Sequence, residues 1–108
     1  MKIITANRPW DTDQLTQTLQ QKVNPLFMEA RQMDMQFNIV KDGDTIEISQ
    51  PDYYEGYLFS IKVQGNKLYI AKSEHYVDDV NQITLQSILE TLQMDSLGGA
   101  DIVYIRGE

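Results

Sequence analysis

Two short glycine-centred turns, each set between runs of alternating apolar and polar residues, constrain this chain more than any other feature. The first is Asp42-Gly43 and the second is Gly65-Asn66. Two-residue hairpin loops of type I′ need positive φ at both central positions, which such pairs supply at low cost. With Asp42-Gly43 as the turn, Lys41 faces Asp44, Ile39 faces Ile46 and Phe37 faces Ile48. Gly65-Asn66 sets Val63 opposite Leu68 and Ile61 opposite Ile70. The other face then carries Gln64 with Lys67, Lys62 with Tyr69, and Ser60 with Ala71. Both registers sort apolar from polar side chains, as a sheet with one dry and one wet face requires. The expected strands span 35–41, 44–50, 56–64 and 67–73.

Two helical patterns flank this β region. Asp11 suits an N-cap with Gln14 at the third helical position, and Trp10 and Leu15 occupy the two places of a hydrophobic staple. Leu15, Leu19, Val23, Leu26, Ala30 and Met33 then recur at spacings of three and four, one face of a helix. Pro25 falls inside the run, but the apolar phase continues across it, which predicts one kinked helix instead of two. Residues 74–83 read as a connection. Thr84 reads as the N-cap of a second helix, with Ile83 and Ile88 as its staple and Leu85, Ile88, Leu89 and Leu92 as its buried stripe. Gly98-Gly99 suits its C-terminal end. Short strands at 2–6 and 101–106 complete the chain.

The order β-α-β-β-β-β-α-β predicts a single α+β domain over 1–108. The expected form is two layers, an antiparallel sheet of four to six strands with both main helices on one face. A helix, a run of antiparallel strands and a second helix in a small acidic chain is similar to the order found in frataxins. The likeness is one of order and charge. The strand region carries no frataxin motif, and no iron binding follows from it.

Composition narrows the classes of function. The net charge is −7 and the nine Lys and Arg are scattered, whereas nucleic-acid and anionic-membrane binders carry a basic face. Direct nucleic-acid or membrane binding is therefore not expected, and a basic protein partner suits the charge. There is no cysteine, which removes disulfides, thiolate-held metals and a cysteine nucleophile and fits a cytoplasmic protein. No apolar run resembles a secretory signal or a membrane span.

Signatures of catalysis are few. No phosphate-binding glycine loop, dinucleotide fingerprint or nucleophile elbow is present. Asp42-Gly43-Asp44 lacks the further oxygen ligands of a calcium loop and is better explained as a hairpin. The one histidine, His75, stands beside Tyr76 and near Glu74, Asp78 and Asp79. That cluster suits either a solvated loop or the mouth of a small-ligand or catalytic site between helices and sheet. No cofactor or metal set is expected.

Asp52, Tyr53, Tyr54, Glu55 and Tyr57 form the second candidate cluster. Tyrosines bury much area while keeping a polar tip, and loops at sheet ends often carry binding residues. Pro51 and Gly56 could equally shape a plain turn whose tyrosines cover the core edge. The sequence points first to a non-enzymatic module that binds a protein through this acidic, Tyr-rich loop. The alternative is a ligand-binding protein or minor enzyme at His75 and Tyr76. A monomer is expected, or a homodimer paired through the last strand as a sheet edge.

Overall fold

The computed structural model describes residues 2–33, 35–73, 80–96 and 102–107. Its elements are β1 (Lys2–Ala6), α1 (Thr12–Arg31), β2 (Asn38–Asp42), β3 (Thr45–Ser49), β4 (Tyr57–Gln64), β5 (Lys67–Lys72), α2 (Val80–Ser96) and β6 (Ile102–Arg106). The six strands form one sheet in the order β2-β3-β4-β5-β1-β6, and every neighbouring pair is antiparallel. No helix among the described residues is long and apolar enough to cross a membrane.

Both helices cover the same face. Leu15, Leu19, Val23 and Phe27 of α1 and Leu85, Leu89 and Leu92 of α2 share one core with Ile4, Ile39, Ile46, Ile48, Phe59, Ile61, Val63, Leu68 and Ile70 of the sheet. The open face is mixed. Asp42, Thr45, Lys62, Tyr69, Ile3 and Arg106 run across it, one from each strand.

The β4–β5 hairpin adopts the expected register, from Gln64 opposite Lys67 to Ser60 opposite Ala71. Its turn is held by the chain entering α1. The Ala6 and Trp10 backbone N–H groups and the Trp10 indole donate to carbonyls of Asn66, Gly65 and Asn66 at 2.9, 2.9 and 3.0 Å. The Asn66 amide returns a bond to the Ala6 carbonyl.

The β2–β3 hairpin differs from expectation. Asp42 pairs with Thr45, Lys41 with Ile46 and Ile39 with Ile48, so Gly43-Asp44 is the turn, not Asp42-Gly43. Gly43 takes φ 64°, while Asp44 keeps negative φ, the glycine-first pattern of a type II′ loop. Moving the turn by one residue moves the pairing by two and returns every side chain to its own face. Alternation could not choose between these registers; the backbone freedom of Gly43 at the first turn position does.

Helix α1 begins as expected, with Asp11 accepting from the Gln14 N–H at 3.1 Å, and it runs unbroken through Pro25. Its lower half buries Phe27, while Leu26 and Ala30 are exposed. Four-residue spacing drifts about 40° round the helix per step. The row Leu15, Leu19, Val23, Phe27 thus swings towards Phe37, whose ring meets Phe27 edge-on with centroids 4.9 Å apart.

The helix ends on Gln32, the one non-glycine residue with positive φ (58°) among those described; its N–H donates to the Met28 carbonyl. Left-handed backbone strains an L-residue and suits glycine. Gln32→Gly is expected to stabilise the protein by about 0.5 kcal/mol, raising Tm by roughly 2 °C in a thermal melt. A fall in Tm would mean that the Gln32 side-chain bond to the Glu29 carbonyl outweighs the strain.

Helix α2 starts four residues earlier than Thr84. Thr84 is no cap: its hydroxyl donates back to the Val80 carbonyl at 2.7 Å inside the helix, and Ile83 is exposed. The expected stripe holds at Leu85, Leu89 and Leu92, with Ile88 half-buried against the core, but it also takes in Gln82 and Gln93. The proposed glycine end at 98–99 lies outside the described residues.

The two edges of the sheet are treated differently. On β2, Asn24 of α1 accepts from the Phe37 N–H at 2.7 Å and donates to the Phe37 carbonyl at 3.3 Å, just ahead of the strand. One turn earlier, Gln20 donates to the Ile39 carbonyl at 2.9 Å. The helix thus supplies hydrogen bonds that a further strand would otherwise make. On β6 the residues Val103, Tyr104 and Ile105 are exposed.

Candidate functional site

The segment from Gln50 to Tyr57 joins β3 to β4 and is built on one buried side chain. The Gln50 amide donates to the Gln36 carbonyl, and its Oε1 accepts from the Asp52 N–H at 2.9 Å. The Gln50 backbone carbonyl accepts from the N–H groups of Tyr53 and Tyr54 at 3.1 and 2.9 Å. Pro51 fixes φ at the first turn position. Gly56 reverses the chain with φ 69°, and a Cβ there would meet nothing within 4 Å, so conformation alone asks for glycine.

This arrangement divides the candidate cluster. Tyr53 is 62% exposed, with Asp52 and Glu55 exposed on either side of it in the chain. Tyr57 pairs with Ser49 where the β3–β4 register shifts, and it is 37% exposed on the open face of the sheet. The shift also lets the next two residues, Leu58 and Phe59, both be buried. Tyr54 is half-buried and packs against the core. Four of the five residues are therefore exposed, and Tyr54 packs inward.

The surroundings are acidic. Between Lys41 and Lys62 the chain carries Asp42, Asp44, Glu47, Asp52 and Glu55 and no Lys or Arg. Apart from Lys41, bound to Asp13 of α1, the basic residues of the sheet lie on the other strands, at Lys2, Lys62, Lys67, Lys72 and Arg106, with Lys2 bound to Glu90 of α2. The β2–β3 side and its loop thus form a negative region on a sheet whose β4–β6 side is positive.

Sequence reading passed over Gln50. Its signal is local: a Gln before Pro-Asp can bond the backbone two residues on, in the manner of an Asx-turn. His75 and Tyr76, the alternative site, lie outside the described residues, as do Asp78 and Asp79. Among the described residues, no group of three or more His, Asp or Glu is placed to hold a metal ion. No protein-family model, no curated protein and no solved structure matches the chain.

Proposed function

We propose that this chain is a protein-binding module that presents Asp52, Tyr53, Glu55 and Tyr57 to a partner bearing basic residues. The observation that carries the reading is the Gln50 clamp, which fixes a loop whose most exposed tyrosine stands between two carboxylates. A contact loop ordered before binding avoids much of the entropy cost of association. Tyrosine is enriched among the residues that dominate interface energies. The acids give the contact its sign and its orientation more than its affinity. A cytoplasmic setting goes with this reading, because a chain without cysteine needs nothing from an oxidising compartment.

The test places a photo-crosslinking phenylalanine analogue at position 53 and, as control, at position 40 on the exposed face of β2. Position 53 should capture one protein that position 40 does not, and added salt should reduce the capture. Tyr53→Ala should weaken binding of that protein about thirty-fold, the size of an interface hot spot. Its melting temperature should stay within about 2 °C of the parent, since surface changes rarely cost more than ~0.5 kcal/mol. Equal capture from both positions, or an affinity within twofold of the parent, would refute the reading. Tyr54→Ala is the wrong probe, because its ring belongs to the core edge.

A further inference from the structure

A second feature lies towards the same end of the sheet, under α2. Phe59, Ile70, Ala71 and Leu89 line a cavity of about 230 Å³ between α2 and strands β1, β4 and β5. Gln93 also lines it and is 1% exposed. Among the described residues no donor meets its Oε1. Buried polar atoms are almost always bonded, and one left unmatched is costly, so an acceptor lining an apolar cavity calls for a donor.

The rim decides the charge of what would fit. Lys2 and Glu90 meet there at 2.8 Å, and Gln86 donates to the same Glu90 oxygen at 3.4 Å. Lys2 and Glu90 neutralise each other, and Lys72, the third charged residue lining the space, is itself engaged, so the rim does not call for an ionic ligand. The volume decides the size. An apolar cavity of about 150 Å³ accepts benzene, while a single water occupies only ~30 Å³ of liquid. The space here suits one or two rings, and Phe59 offers an aromatic surface for them to pack on.

We infer that this cavity binds a neutral one- or two-ring aromatic molecule with a single N–H or O–H donor, the chemistry of a phenol or an indole, its donor directed at Gln93 Oε1. The inference is independent of the protein-binding loop and goes beyond it. Such sites are mostly apolar, with a few placed polar groups that set orientation. Sites built to bond a ligand's donor discriminate against analogues that lack it, because the buried acceptor is then left unmatched.

The test is a titration of the isotope-labelled full chain with indole and with benzothiophene, which has the same shape and no N–H. Indole should shift the backbone amide resonances of Phe59, Ala71, Leu89 and Gln93 and bind about ten-fold more tightly than benzothiophene. Gln93→Met keeps the length of the side chain and removes the acceptor, so the two affinities should then agree within twofold. If that variant does not fold, the ratio measured on the parent protein still decides. Equal affinities in the parent, shifts that map elsewhere, or no shifts at millimolar probe would overturn the inference.

Discussion

Phe27→Ala is expected to destabilise the protein by about 4 kcal/mol, the middle of the range for emptying a buried aromatic site. The side chain has no exposed surface, and its ring meets the Phe37 ring edge-on. Truncation removes the transfer energy of the ring and leaves a cavity between α1 and the start of β2. Domains of this size are stable by only about 5–15 kcal/mol, so much of the margin would go. Urea denaturation should show the loss as a lower midpoint at unchanged slope. The neighbouring Leu26→Ala is the internal control. Leu26 is 37% exposed, beside Ala30 and Ile88 in a shallow groove between the helices. Its truncation should cost less than about 1 kcal/mol. Similar losses for the two variants would mean that α1 is rotated from the orientation described.

That pair of variants also marks where the sequence stopped being legible. Spacings of three and four admit Leu26 or Phe27 as the next buried residue after Val23, because both lie near the same stripe. Only the position of Phe37 across the gap selects Phe27, and that is a tertiary fact. The hairpins teach the same lesson at smaller scale. Gly65-Asn66 has one register that suits both its turn and its faces. The first hairpin has two with the same faces, and the difference between them rests on which turn position Gly43 occupies. Helix α2 was legible from Leu85 onward. Its first turn holds Val80, Asn81, Gln82 and Ile83, and its capping signal, Asp79 with Gln82 three residues on, competes in the sequence with that of Thr84.

The candidate loop was visible as a cluster of tyrosines and acids, since composition and turn residues are local signals. Which tyrosine faces inward was not, because Tyr53 and Tyr54 are chemically identical and adjacent. The Gln50 clamp reaches back to the Gln36 carbonyl, and Gln93 lines a space that three other elements, β1, β4 and β5, help to define. Contacts of that kind depend on strand order, which alternation does not encode.

Asn24→Ala is the second large effect, expected at about 2–3 kcal/mol. One side-chain amide satisfies both the N–H and the carbonyl of Phe37, and alanine leaves both without their partner. Asn24→Asp separates the two bonds. A carboxylate keeps the 2.7 Å acceptor and strengthens it, but faces the Phe37 carbonyl with no donor. Its cost should fall between those of the parent and the alanine variant. Amide hydrogen exchange locates the effect: the Phe37 N–H should lose protection in Asn24→Ala by more than global destabilisation explains. Uniform loss across the sheet would show that Asn24 acts only through helix stability. The local outcome also bears on the loop, because residues 36–39 are held from one side by Gln20 and Asn24 and from the other by Gln50. Freeing them from α1 loosens the carbonyl on which the Gln50 clamp closes. Asn24→Ala should therefore raise exchange at Asp52, whose N–H rests on Gln50 Oε1, although the side-chain bonds of Asn24 go to Phe37 and not to the loop.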